Sequence, residues 1–317
     1  MRKKIFFILR IFVGGAIIFA LLRFISYDDL IVAYKGARKA PIIYGFLVIS
    51  ITCIVASLRW RFILNSLGIK ITVREAIYVS LSATFFNIFL PSLLASDVFR
   101  GIALMSRFKN SNKVVSSLVI DRVSGGVAIT ILVAFFSLIG RHLLPERELW
   151  WIIGIVVLLG IVIMFAIFNK SIFLIMEKMA WFNPAVKGWL ERFHQEFRYI
   201  RQQPSIFFKT LFYFSFPVQV LNILSFICLA KAFALSLNPL YFFIFIPIVA
   251  IIVCLPISIA GIGTRELAMV YFFSKVGVSQ PVSLGISLLS FAFLGIVGLL
   301  GGIIYVVVYH RWLERST

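Results

Sequence analysis

Residues that usually hold metals, disulfides or catalytic charges are scarce in this sequence. Charged residues make up 14% of its 317 residues, whereas about a quarter of a soluble domain is charged. The three cysteines, Cys53, Cys228 and Cys254, lie in apolar stretches, and their spacing fits neither a disulfide framework nor a zinc site. The three histidines are far apart and form no HExxH pattern. The sequence therefore predicts no metal site and no cofactor.

Recognisable catalytic motifs are also missing. The sequence contains no GxSxG motif and no phosphate-binding P-loop. Its only acidic doublet, Asp28-Asp29, falls outside the cell in the topology derived below. An enzyme is therefore not expected. Two alternatives stay open: a membrane-embedded glycosyltransferase or lipid-modifying enzyme, and a structural partner of a separate lipid synthase.

Long apolar stretches dominate the sequence. Hydrophobic residues make up 62% of the chain, and the mean hydropathy is +1.05. A transmembrane helix needs about 20 apolar residues. Six stretches are long enough, at about 5–25, 41–58, 115–139, 150–168, 210–234 and 283–309. The first follows a basic N-terminus without a clear cleavage site, so we interpret it as a retained helix. The sequence predicts an all-α, polytopic membrane helix bundle that forms one domain over residues 1–317.

Two further apolar stretches, about 76–100 and 240–274, are interrupted by proline. Pro91 and Pro256 each follow a leucine and each precede an arginine by nine residues, Arg100 and Arg265. Proline removes a backbone hydrogen-bond donor, and glycine lowers helix stability. Each stretch is therefore either one kinked span or a re-entrant pair of half-helices. The residues that mark the breaks are Pro91, Pro256, Gly261 and Gly263.

The distribution of basic residues favours the re-entrant alternative. The loop 170–209 carries seven lysines and arginines and should be cytoplasmic. If both broken stretches are re-entrant, most basic residues lie on that side, and both termini are cytoplasmic. Residues 41–139 and 210–309 then form two halves of opposite orientation, which is the inverted-repeat architecture of many transporters. Between them, residues 184–204 predict an amphipathic helix on the inner membrane surface.

The net charge of +19 points to a lipid partner. The basic residues lie between apolar spans and form no nucleic-acid-binding module, so nucleic acid is not expected. Anionic lipid headgroups attract such juxtamembrane basic segments. We expect membrane lipids as partners, with a homo-oligomer or a lipid synthase as further possibilities.

Ionisable residues inside the spans are the candidate site, because each costs about 2.5–3.5 kcal/mol on insertion scales. Arg100 and Arg265 could bind an anionic headgroup, since a guanidinium donates two parallel hydrogen bonds to phosphate. Asp97 could pair with Arg100 three residues later, whereas Arg265 and Glu266 each require a partner elsewhere. The alternative is a set of ion pairs that only fixes helix packing. The expected headgroup-binding set is Arg100, Arg265, Asp97, Asp121, Arg122, Glu266, Asn87, Ser92 and Ser258.

A third group, Arg59-Trp60-Arg61, ends the second predicted span. Tryptophan is typical of the headgroup level, and arginine side chains there extend to the interface. We interpret these three residues as an interfacial anchor.

Four blocks of the sequence resemble one known family. They are Ser57–Leu64, Asn87–Arg100, Asp121–Gly125 and Leu255–Glu266, and in order and spacing they look like the lysylphosphatidylglycerol synthase transmembrane region family. That family includes the flippase part of the bacterial multiple peptide resistance factor. The resemblance covers nearly the whole chain. It departs at Ser92–Ser96, where the family is usually glycine-rich, and we expect no soluble synthase domain after the last span.

The resemblance implies a lipid flippase without aminoacylation activity. The chain is then expected in the plasma membrane of a bacterium or archaeon, moving an anionic phospholipid or a polyprenyl-phosphate lipid between leaflets. Because no ATP-binding motif is present, transport would be passive or driven by an ion gradient.

Overall fold

The fold is known from a computed structural model of the chain. It describes residues 15, 17, 19–21, 23, 25, 27–89, 95–105, 107–108, 111–144, 146–168, 203–255, 257–258 and 261–309. Within these ranges the regular structure is helical throughout. The helices are α1 (Tyr27–Lys35), α2 (Lys39–Ser66), α3 (Val73–Phe89), α4 (Ala95–Met105), α5 (Ser111–Ile139), α6 (Arg147–Phe168), α7 (Pro204–Ala232), α8 (Pro239–Cys254), α9 (Thr264–Ser274) and α10 (Gln280–Ile304).

Five helices of the described chain are long and apolar enough to cross a membrane: α2, α5, α6, α7 and α10. They confirm the prediction of a polytopic all-α bundle. The expected first span, 5–25, falls mostly outside the described residues, as does the amphipathic linker 184–204. Helix α2 extends to Ser66, two turns beyond the span predicted from hydropathy.

The first broken stretch folds back on itself as a hairpin of α3 and α4. Nη1 of Arg107, just after α4, lies 2.6 Å from Oε1 of Glu75 in the first turn of α3. In one straight helix, 32 residues would separate these groups by about 48 Å. The rings of Phe86 and Phe99 also stack, with their centroids 4.4 Å apart. The start of α3 and the end of α4 therefore lie at the same level.

Glu75 closes the open end of this hairpin. Its carboxylate accepts hydrogen bonds from the backbone N–H and the hydroxyl of Thr72, at 2.7 and 3.0 Å, and Thr72 Oγ1 in turn accepts from the Glu75 N–H at 3.3 Å. This is a capping box at the start of α3. Burial alone would raise the pKa of the Glu75 carboxyl, but the bonds from Thr72 and Arg107 outweigh burial and lower it. Glu75 is therefore held as a carboxylate facing Arg107.

The second broken stretch forms a matching hairpin of α8 and α9. Phe242 near the start of α8 contacts Phe273 near the end of α9, with ring centroids 5.2 Å apart. The connection requires glycine, because Gly261 and Gly263 have φ angles of 73° and 85°, which side-chain-bearing residues adopt only with strain. A Cβ at Gly261 would also lie 2.5 Å from Cγ1 of Val253. Among the residues that mark the breaks, Pro91 and Pro256 fall outside the described residues.

The hairpins are inserted between the long helices. The first helix of each hairpin packs on a long helix of the other half, since α3 packs on α10 and α8 packs on α5. Helices α2 and α7 pack along each other between them. On the α3–α10 seam, Ser82 donates a hydrogen bond to the carbonyl of Gly301 at 3.2 Å. The two halves therefore pack against each other through three helix pairs, α3–α10, α8–α5 and α2–α7.

Contacts between helix ends define one end of the bundle. Nζ of Lys275, after α9, lies 2.7 Å from Glu146 before α6. The Arg38 N–H before α2 donates to the carbonyl of Ala232 at the end of α7, at 2.8 Å. The Tyr34 hydroxyl donates to the carbonyl of Gly285 near the start of α10, at 3.1 Å. These segments are the ones that the sequence-derived topology places together on the outer side.

Candidate functional site

Five ionisable side chains from three helices meet inside the first half of the bundle. Asp121 Oδ1 on α5 lies 2.6 Å from Nε of Arg59 on α2. Its other oxygen lies 3.2 Å from Nη1 of Arg100 on α4. Beside them, Nε of Arg122 lies 2.6 Å from Oδ2 of Asp97. We call these five residues the charged cluster.

The ion pairs of the charged cluster run between helices. The spacing of Asp97 and Arg100 allows a pair within α4, but the structure does not pair them with each other. Each instead takes a partner from α5, Arg122 and Asp121 respectively. Asp121 and Arg122 are adjacent, so their side chains leave α5 about 100° apart and reach two residues one turn apart on α4. The crossed pairs tie the second half of the first hairpin to α5.

The charged cluster carries an excess positive charge in a buried place. It contains three arginines and two aspartates, which leaves one net positive charge. The side chains of Asp121, Arg59 and Arg100 are only 7%, 11% and 14% exposed, whereas Arg122 is 46% exposed. Nε of Arg100 is buried and has no hydrogen-bond partner among the described residues. A buried donor without a partner costs about 1–3 kcal/mol, so an added acceptor at this point would stabilise the protein.

Arg59 and Trp60 are not an exposed interfacial anchor; that prediction is wrong for these two residues. Trp60 is fully buried, and its Nε1 donates to Ser117 Oγ at 3.2 Å. The Arg100 guanidinium lies over the Trp60 ring, 5.2 Å from its centroid, at a distance typical of a cation–π contact. The reason is the length of α2: because the helix continues to Ser66, residue 59 is not at its end. Arg59 therefore belongs to the charged cluster.

A serine pair extends the charged cluster towards α7 and was missed from sequence. Nη1 of Arg59 lies 3.4 Å from Ser215 Oγ, and Ser215 donates to Ser124 Oγ at 3.0 Å. Ser215 ends a π-helical turn, Leu211–Ser215. Such turns often lie at functional sites. A serine in an apolar helix gives no sequence signal beyond its polarity, since most such hydroxyls bond to the preceding turn.

The second half contains a smaller set of interacting polar side chains, whose one arginine and one glutamate leave no net charge. Glu266 Oε2 accepts a hydrogen bond from the Gly263 N–H at 2.7 Å, and Oε1 lies 2.9 Å from Nη2 of Arg265. Ser287 on α10 donates to Oε1 at 3.0 Å, and the Arg265 guanidinium lies 4.6 Å from the ring centroid of Phe291. The prediction that Arg265 and Glu266 pair with other residues is wrong, because they pair with each other. The Glu266 side chain folds back to cap α9, which brings its carboxylate to the Arg265 guanidinium.

The other predicted site residues lie around the hairpin connections. Ser258 and Thr264 share a buried hydrogen bond of 3.0 Å, which stabilises the second connection. Asn87 is half-buried near the end of α3, and Ser92 falls outside the described residues. Cys254 lies at the end of α8, and α8 packs on α5, the helix that contributes Asp121 and Arg122 to the charged cluster.

Comparison with known protein families identifies the chain by most of its length. Residues 7–302 match the family described as lysylphosphatidylglycerol synthase TM region. No curated protein matches the chain. The match covers both hairpins, the charged cluster and the Arg265–Glu266 pair.

Proposed function

Because the chain belongs to the lysylphosphatidylglycerol synthase transmembrane region family, we propose that it moves lipids across the membrane in which it lies. The proposed cargo is an anionic phospholipid or a polyprenyl-phosphate lipid. The single observation that carries the proposal is the buried charged cluster, with its excess positive charge and with an Arg100 Nε that has no hydrogen-bond partner in the described part of the chain.

The charge balance suits a phosphodiester. A phosphodiester carries one negative charge, which would neutralise the one net positive charge of the charged cluster. Its oxygens accept hydrogen bonds, and guanidinium–phosphate bonds are among the strongest in proteins. Isolated charges at membrane depth are costly, so a chain that keeps Arg59 and Arg100 there gains when an anionic headgroup enters. Asp121 holds both guanidiniums in place between transport events.

The two hairpins would provide the path. We propose that they are re-entrant, enter from opposite faces, and belong to inverted halves, 41–139 and 210–309. The packing supports this: exchanging the halves converts the α3–α10 contact into the α8–α5 contact and leaves the α2–α7 contact unchanged. Non-helical backbone is tolerated at membrane depth where it lines a polar cavity. The connections of the hairpins would line that cavity.

Labelling of introduced cysteines tests this topology. We expect Lys70→Cys and Asn112→Cys, which flank the first hairpin, to react only with a reagent that reaches the cytoplasm. Ser236→Cys and Ser279→Cys, which flank the second, should react from outside. All four positions are exposed, and the background would carry alanine at Cys53, Cys228 and Cys254. If positions 70 and 112 label from opposite sides, the first hairpin crosses the membrane and the inverted repeat is wrong.

Lipid movement is tested directly in vesicles that contain the purified protein and fluorescent phosphatidylglycerol or phosphatidylcholine. We expect the wild type to move phosphatidylglycerol between leaflets and Arg100→Gln to be at least tenfold slower. The reason is that one lost charge-assisted hydrogen bond costs roughly 1.5–3 kcal/mol. Lys70→Gln removes an exposed charge and serves as the matched control.

Two outcomes would contradict transport. Equal rates with and without protein would exclude a flippase for these lipids. Chemical conversion of the labelled lipid, detected by mass spectrometry, would instead favour a lipid-modifying enzyme.

A further inference from the structure

A groove lies between the C-terminal part of α2 and the π-helical turn of α7. Its volume is about 460 Å³, and its lining residues are Leu58, Arg61, Phe62, Asn65, Ser66 and Phe214. On α2, positions 58, 61, 62 and 65 are separated by three, one and three residues, which places them on one face of the helix. We call this feature the α2–α7 groove.

Polarity changes along the α2–α7 groove in the order found in a phospholipid. Leu58 and Phe62 are the apolar residues that α2 contributes to the groove, and the Phe62 ring lies against Phe214 with centroids 5.3 Å apart. Asn65 and Ser66 lie at the last turn of α2, which the proposed topology places at the cytoplasmic membrane surface. An acyl chain would therefore contact aromatic and aliphatic side chains, and a headgroup would contact polar ones.

The polar end of the α2–α7 groove is held rigidly and offers donors. The backbone of Ile71 fixes two of its side chains, because Arg61 Nε donates to the Ile71 carbonyl at 3.0 Å and the Ile71 N–H donates to Asn65 Oδ1 at 3.0 Å. These bonds use the acceptor of Asn65 and one donor of Arg61. The Nη groups of Arg61 and Nδ2 of Asn65 have no partner among the described residues. The groove thus presents a positive charge and several N–H donors, and none of the described residues that line it is a carboxylate.

We propose that the α2–α7 groove binds one anionic phospholipid of the adjacent leaflet, with its phosphate on Arg61 and Asn65 and an acyl chain over Phe62 and Phe214. A lipid phosphate matches the charge and the donors of the polar end. A preorganised site loses little conformational entropy on binding. The site is separate from the charged cluster, and binding there does not depend on transport.

The α2–α7 groove adjoins the charged cluster through one helical turn. Phe214 lines the groove, and the next residue, Ser215, accepts a hydrogen bond from Arg59 at 3.4 Å. Within the π-helical turn Leu211–Ser215, consecutive side chains thus reach the α2–α7 groove and the charged cluster. A lipid in the groove would therefore lie one residue away from Ser215, the hydrogen-bond partner of Arg59.

Native mass spectrometry of the full-length protein, purified in detergent with equal amounts of phosphatidylglycerol and phosphatidylcholine, tests the proposal. We expect the wild type to retain one phosphatidylglycerol molecule, and Arg61→Gln to lower its occupancy roughly fivefold or more. Arg74→Gln is the matched control, because Arg74 is an exposed arginine at the same end of the bundle. Leu58→Trp keeps Arg61 but fills the groove, and it should displace the same lipid.

Three outcomes would overturn the proposal. An equal loss of lipid in Arg61→Gln and Arg74→Gln would show unspecific attraction by surface charge. Full lipid occupancy in Leu58→Trp, with an unchanged melting temperature, would place the lipid elsewhere. Displacement of the lipid by millimolar inorganic phosphate would identify a site for a free anion.

Discussion

Asp121→Ala is expected to destabilise the folded protein by roughly 3–5 kcal/mol, as is typical when one partner of a buried ion pair is removed. Asp121 is 7% exposed and compensates two guanidiniums, those of Arg59 and Arg100. Without it, two buried positive charges face each other without an anion between them. The measurement is thermal unfolding of the purified variant in detergent, followed by circular dichroism.

Two comparisons make the Asp121 prediction specific. Asp97→Ala should cost clearly less, because the guanidinium of its partner Arg122 is 46% exposed and can be solvated. Adding Arg59→Met to Asp121→Ala restores the net charge of the buried Arg59, Arg100 and Asp121 group, so it should recover part of the lost stability. If Asp121→Ala and Asp97→Ala unfold at the same temperature, burial of the charge does not determine the effect.

The spans and their breaks could be predicted because their causes are local. Apolar stretches of about 20 residues determine membrane helices, and the helices α2, α5, α6, α7 and α10 follow them. The connection of the second hairpin follows from Gly261 and Gly263, whose positive φ angles are a property of the residues themselves. Charge placement then suggested hairpins, and the Glu75–Arg107 contact shows that the first stretch folds back.

The pairing of the charges could not be predicted, because it depends on which helices are neighbours. Asp97 and Arg100 are well spaced for a pair within α4, yet α5 offers both of them closer partners. Arg59 was misassigned because an Arg-Trp-Arg sequence near the end of an apolar stretch is typical of an interface. Hydropathy cannot show that α2 continues to Ser66, since the last two turns contain polar residues.

Gly301→Ala is expected to disrupt the seam between α3 and α10. A Cβ at position 301 would overlap the carbonyl oxygen of Leu81 and lie 3.1 Å from the N of Ser82. Both contacts are with backbone, which cannot change rotamer, so the two helices would have to separate. Small residues allow such close approach in membrane helices, and forcing a methyl group into a packed seam costs typically 1–3 kcal/mol or more.

The control for Gly301→Ala lies on the same helix. A Cβ at Gly295 would meet no atom within 4 Å, and alanine is the better helix former by about 1 kcal/mol. Gly295→Ala should therefore leave the melting temperature unchanged or raise it, whereas Gly301→Ala should lower it by several degrees. Because α3 is the first helix of the first hairpin, Gly301→Ala should also reduce lipid movement in vesicles at temperatures where the protein stays folded. Equal melting temperatures for the two variants would mean that α3 and α10 are not in backbone contact at this point. The close packing of these two helices would then be wrong.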